Sequence, residues 1–71
     1  MTINERLKEI RLESGQSQRQ LGEKLGMNYT NVSAIERGVK PSDSLAERWA
    51  EACGYAYKIS KHFEKKVKNN C

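Results

Sequence analysis

Short polar side chains line one side of the stretch from residue 29 to residue 37. If Val32 and Ile35 face inward, a helical rotation of about 100° per residue turns the other positions outward. The outward group consists of Thr30, Ser33, Ala34 and Arg37, with Tyr29 at its edge near the helix start. Hydroxyl, phenol, methyl and guanidinium groups form hydrogen bonds and apolar contacts, so this face is a candidate binding surface.

The residues that could catalyse a reaction or hold a metal lack the spacing that such sites need. The only histidine, His62, lies in a lysine-rich segment, and the glutamates alternate with basic residues on expected solvent-facing positions. Cys53 falls on an apolar helical stripe and Cys71 is the last residue, which gives neither a disulfide framework nor a closed zinc site. We therefore expect no enzyme, no metal and no cofactor, with Cys53 in the core and Cys71 as a free thiol.

Residues 18–38 have the pattern of two short helices that cross through a tight turn. An inner apolar face is formed by Leu21, Leu25, Val32 and Ile35. Gly22 removes a side chain where the helices approach each other, and Gly26 supplies the positive φ of the turn. Gly38 then ends the second helix. These positions predict a helix-turn-helix unit that presents the polar face described above.

Capping residues predict the starts of four helices. A serine or threonine followed three residues later by glutamate or glutamine satisfies two otherwise unpaired backbone N–H groups. The expected caps are Thr2 (with Glu5), Ser17 (with Gln20), Asn28, and either Ser42 or Ser44, the last with Glu47. The first helix ends at Gly15, and the fourth, roughly residues 44–53, carries Trp49 as a core anchor.

Residues 55–71 fit two structures. Tyr55, Tyr57 and Ile59 alternate as in a strand, but Tyr55, Ile59, Phe63 and Val67 also follow a helical spacing. We expect a strand near residues 55–59 followed by a loose or helical basic end, with a fifth helix as the alternative. Both structures leave apolar surface that a second copy of the chain could cover.

The net charge of +4 is concentrated at the C-terminal end. Residues 1–57 contain eight basic and eight acidic residues, whereas residues 58–71 contain five lysines and one glutamate. This excess suits a polyanionic partner.

No apolar run approaches the ~20 residues that span a bilayer, and residues 1–15 do not resemble a signal peptide. We expect a cytoplasmic protein without a membrane partner.

The offsets of these residues resemble the phage-repressor helix-turn-helix, the XRE or lambda-repressor/Cro-like family. The resemblance runs from about Arg6 to Gly54 and fails beyond it. It is carried by RLKEIR at 6–11, GQSQ at 15–18, IERG at 35–38 and KPS at 40–42. It implies an all-α, lambda-repressor-like bundle of four to five short helices, with or without a short C-terminal strand.

The resemblance also divides the chain into two parts and implies roles for individual residues. Residues 1–54 are the expected DNA-binding domain, with the helix-turn-helix at 18–37, and residues 55–71 are an extension for dimerisation with a basic tail. The expected base-reading residues are Tyr29, Thr30, Ser33 and Ala34. The resemblance implies that Gln18 binds the DNA backbone. Independently of the resemblance, the side chains of Arg19, Asn31, Arg37 and Lys40 are expected to add phosphate contacts.

Two further positions stand out against the family pattern. The resemblance implies that Arg11 and Glu36 pair across the first and third helices, although Arg11 could also contact a phosphate. Gln16 departs from the pattern, because the family has an apolar residue there. The corner between the first two helices is therefore either less well packed, or Gln16 itself reaches a phosphate.

These features predict sequence-specific binding of double-stranded DNA by a small homodimeric regulator, a Cro-like repressor at a palindromic operator. At 71 residues the chain has room for a small core only, so dimerisation would help its stability. No small-molecule effector is expected. One alternative is an antitoxin or a restriction-modification controller of the same fold. An alternative of another class is a protein-interaction module that does not bind DNA.

Overall fold

In the part of the chain that the structure describes, four short helices are followed by two short strands. The computed structural model describes residues 2–58 and 62–65. The helices are α1 (Ile3–Glu13), α2 (Gln18–Leu25), α3 (Tyr29–Arg37) and α4 (Asp43–Ala52), and the strands are β1 (Tyr55–Lys58) and β2 (His62–Lys65). The fold is therefore the all-α bundle that the sequence predicts, with a C-terminal hairpin. Within the described residues, no helix combines the length and apolar surface that crossing a bilayer requires.

The first two capping predictions are confirmed in full, and the other two only in part. Thr2 and Ser17 each form a complete capping box, with Glu5 and Gln20 respectively. Asn28 occupies the N-cap of α3 but makes no side-chain cap hydrogen bond. The fourth helix begins at Asp43, because the Ser42 hydroxyl accepts from the backbone N–H of Leu45, so the alternative start at Ser44 is wrong.

The core lies where the inner faces of the four helices meet. Its largest fully buried side chains are Leu7, Ile10, Leu21, Val32 and Trp49, and Leu25, Ile35 and Cys53 are at most 8% exposed. The indole Nε1 of Trp49 donates to the carbonyl of Leu7 at 3.1 Å, which satisfies its only polar group. Burial raises the pKa of the Cys53 thiol, so this cysteine stays protonated and acts as a core residue, as predicted.

The C-terminal hairpin corrects part of the prediction. The antiparallel strands pair Tyr55 with Lys65 and Tyr57 with Phe63. A strand at residue 55 is thus confirmed, whereas a fifth helix is wrong for 55–58, and a loose or helical end is wrong for 62–65. Residues 59–61 and 66–71, which include Ile59, Val67 and Cys71, lie outside the described residues.

Tyr55 belongs to the core of this bundle. It is 5% exposed, and its hydroxyl donates to Oε1 of Glu13 in α1 at 2.5 Å. The guanidinium of Arg6 lies over its ring, 5.2 Å from the centroid. Tyr57 is partly buried and packs against the same core. The expectation that Tyr55 provides spare apolar surface is therefore wrong, because α1 and the core already cover it.

Candidate nucleic-acid interface

The turn between α2 and α3 is set by two glycines with different roles. Gly26 has a φ of 72°, in the left-handed region that glycine adopts without steric cost. The backbone N–H of Met27 donates to the carbonyl of Gly22 at 2.9 Å and closes the end of α2. A Cβ on Gly22 would lie 2.7 Å from the Met27 carbonyl oxygen, so only glycine fits there. Together they hold α3 in one orientation against α2.

Helix α3 has one buried side and one accessible side. Val32 and Ile35 are 0% and 5% exposed and face the core. The side chains expected to read bases are all accessible: Tyr29 and Thr30 are exposed, and Ser33 and Ala34 are partly exposed. Since Tyr29 is the first residue of α3, this surface lies at the N-terminal half of the helix. The structure thus brings the four predicted residues together on one surface.

The start of α2 is joined to α3 through Glu36. Nε2 of Gln18 donates to Oε1 of Glu36 at 3.0 Å. The same carboxylate accepts from Nε and Nη2 of Arg11, at 2.5 Å and 3.2 Å. Nη1 of Arg11 donates to the carbonyl of Gln16 at 2.8 Å. Arg11 is 7% exposed, so its guanidinium serves the fold and presents little surface to a phosphate.

The other residues expected to bind phosphate lie around this surface. Arg19, Asn31, Arg37 and Lys40 are exposed, and Gln18 is partly exposed. Gln18 is the first residue of α2, where unpaired backbone N–H groups and the helix dipole favour an anion. Arg19 lies over the ring of Tyr29, with its Cζ 5.1 Å from the ring centroid. Basic and amide groups therefore flank the accessible side of α3.

Gln16 packs against the end of α4. Its Nε2 donates to the hydroxyl of Ser14 and to the carbonyl of Ala52, both at 3.0 Å. Oε1 of Gln16 is buried and accepts no hydrogen bond from the described residues. The amide thus replaces the family's apolar contact with hydrogen bonds to the corner and to α4. This geometry favours a structural role over a phosphate contact.

Two residues that sequence reasoning missed hold the interface in place. Nδ2 of Asn4 donates to the carbonyls of Ile35 and Val39 at 2.7 Å and 2.8 Å, which fastens the end of α3 to α1. Nη2 of Arg48 donates to the carbonyl of Leu25 at 2.6 Å, at the end of α2. An asparagine and an arginine on predicted helices carry no local signal for such contacts, because their partners lie far along the chain.

Comparison with known proteins agrees with this geometry. The chain matches the helix-turn-helix family model over residues 7–57, well over half of its 71 residues. The matched range contains all of α2, the turn and α3. Searches of curated proteins and of solved structures found no significant match. The chain therefore belongs to the XRE-type helix-turn-helix family of DNA-binding transcription regulators.

Proposed function

We propose that the chain acts in the cytoplasm as a homodimeric repressor at an operator with twofold symmetry. The observation that carries this proposal is the accessible face of α3, where Tyr29, Thr30, Ser33 and Ala34 lie together. A B-form major groove accepts one α-helix, and short side chains near the helix N-terminus reach base edges there. Repression then follows from occupying DNA that the polymerase needs.

The surrounding groups would hold the DNA backbone. Gln18 lies at the N-terminus of α2, and its amide is already oriented by Glu36 at 3.0 Å. Arg19, Asn31, Arg37 and Lys40 are the further phosphate ligands of this proposal, and all four are exposed. Phosphate contacts fix the register of the protein on the duplex but carry no sequence information. Specificity would therefore depend on α3.

Dimerisation would double the number of base pairs that are read. One nine-residue helix contacts only a few base pairs, and two copies on the same face of the duplex would place their α3 helices about 34 Å apart. We assign the dimer contact to the part of the extension (residues 55–71) that follows Tyr55. The core already buries Tyr55, so it cannot contribute.

Selection of bound fragments from random duplex DNA tests the proposal. We expect an enriched site with twofold symmetry, a footprint over both half-sites, and a dimeric mass at the working concentration. Enrichment of no sequence would favour the protein-interaction module instead. If the enriched sequence occurs in the genome only at the promoter of an adjacent toxin or restriction gene, the protein would be identified as an antitoxin or a controller. A footprint on one half-site with a monomeric mass would contradict the dimer.

A further inference from the structure

The ring of Tyr29 is covered by the guanidinium of Arg19, whose Cζ lies 5.1 Å from the ring centroid. Arg19 and Gly22 are three residues apart and therefore lie on the same side of α2. A Cβ on Gly22 would lie 3.3 Å from the backbone nitrogen of Tyr29, so this side of α2 faces the start of α3. The close approach at Gly22 thus sets Arg19 above the ring.

The pair formed by Arg19 and Tyr29 remains accessible to a ligand. Tyr29 is 46% exposed, and Arg19 is also exposed. Among the side chains of residues 2–57, no carboxylate pairs with Arg19, whereas Arg6 and Arg11 both form ion pairs. A cation held over a ring spends none of its hydrogen-bond donors on an acceptor within the protein. The N–H groups of Arg19 are therefore available to a ligand that meets the N-terminal end of α3.

We propose, resting on the DNA-binding function proposed above, that Arg19 reads a guanine in the major groove and that Tyr29 is its positioning residue. Guanine presents O6 and N7 side by side, and the planar fork of arginine matches these two acceptors. The contact with Tyr29 holds the guanidinium at the end of α3 that also carries Thr30. This assignment replaces the phosphate role of Arg19 with a base-reading one, and the base-reading role of Tyr29 with a positioning one.

The test uses the full chain and the operator that the wild type selects from random duplex DNA. Arg19→Lys keeps the positive charge but removes the fork. We expect the preference for guanine at one base pair of each half-site to fall about tenfold or more. The salt dependence of binding should stay unchanged, because lysine carries the same positive charge as arginine. Circular dichroism checks that the variant is folded.

Variants of Tyr29 separate positioning from direct contact. Tyr29→Leu removes the ring and should weaken the preference for guanine at the same base pair. The conservative variant Tyr29→Phe keeps the ring and should keep that preference. The double variant Arg19→Lys/Tyr29→Leu should lose no more preference at that base pair than Arg19→Lys alone, because Tyr29 acts through Arg19. An additive loss, or an effect of Tyr29→Leu at a different base pair, would overturn the positioning role.

Two other outcomes separate this inference from the function on which it rests. If the wild type enriches a site and Arg19→Lys weakens binding to all sequences equally, or changes nothing, the guanine assignment alone is wrong. If the wild type enriches no sequence, the proposed DNA-binding function fails and the assignment of Arg19 fails with it.

Discussion

Arg11 of α1 and Glu36 of α3 form a two-point ion pair, with Nε 2.5 Å from Oε2 and Nη2 3.2 Å from Oε1. The two side chains are only 9% and 3% exposed. A pair this buried is held together as a unit, because removing one partner leaves the other charge without compensation. The carboxylate also holds Gln18, so the same pair links the fold to the proposed phosphate contact.

Removal of one partner of this pair should strongly destabilise the protein. We expect Arg11→Met to lower the free energy of unfolding by about 3–5 kcal/mol, measured by urea denaturation. The double variant Arg11→Met/Glu36→Leu should lose less than the sum of the single variants. The matched control is Glu9→Gln, which breaks the exposed pair with Arg6 and should cost about 0–1 kcal/mol. Additive losses would show that Arg11 and Glu36 are not coupled.

The two turn glycines should respond differently to substitution. Gly22→Ala sets a Cβ 2.7 Å from a backbone oxygen, so we expect a loss of about 1–3 kcal/mol from overpacking. Gly26 has open space but a φ of +72°, so Gly26→Ala should cost about 1–2 kcal/mol through backbone strain. Gly26→Asn should recover part of that loss, whereas Gly22→Asn should be worse than Gly22→Ala. Melting temperatures that rank the variants otherwise would contradict this division.

The hydrogen bond of Tyr55 should make stability depend on pH in the alkaline range. The hydroxyl donates to Glu13, which raises the pKa of Tyr55 in the folded protein above its unfolded value of about 10. A raised pKa means that the stabilisation is complete below pH 10 and is lost as the pH rises through the folded pKa. Tyr55→Phe should cost about 1 kcal/mol at pH 8 and progressively less above pH 10. A pH-independent difference in unfolding free energy would contradict the prediction.

Thr30 and Asn31 should have different effects on DNA binding, although they are neighbours on α3. Thr30→Ala should lower discrimination at one base pair by about 1–3 kcal/mol, since it would remove the proposed contact to a base edge. Asn31→Ala should weaken binding to all sequences alike, because its proposed contact is to a phosphate and carries no sequence information. Competition binding with single base-pair variants of the operator measures both effects. An unchanged preference in a folded Thr30→Ala variant would remove Thr30 from the base-reading set.

The C-terminal lysines should contribute affinity without specificity, because they hold the excess charge of the chain. Each phosphate that they neutralise adds about 0.9 to the slope of log affinity against log salt. A triple variant should flatten that slope and weaken specific and nonspecific binding alike. Its substitutions are Lys65→Gln, Lys66→Gln and Lys68→Gln. Lys8→Gln on α1 is the control for a change in net charge. If the slope of log affinity against log salt is unchanged and dimerisation is weaker, these lysines belong to the dimer interface instead.

The sequence by itself determined the four helices, the turn and the accessible side of α3. These features depend on interactions within a few residues: Thr2 caps its own helix, Gly26 supplies a left-handed turn residue, and the spacing of Val32 and Ile35 sets which side faces inward. Short-range signals of this kind can be recognised in one sequence, because each partner lies within one or two turns of the other.

Only the tertiary structure decided which distant groups meet. Tyr55 fits a helix or a strand by spacing, and its contact with Glu13 of α1 gives it a place in the core. Asn4 reaches two carbonyls at the end of α3, and Arg19 lies over Tyr29 because Gly22 lets two helices approach. Such contacts depend on the relative placement of whole elements, which the packing of the shared core sets and no local pattern encodes.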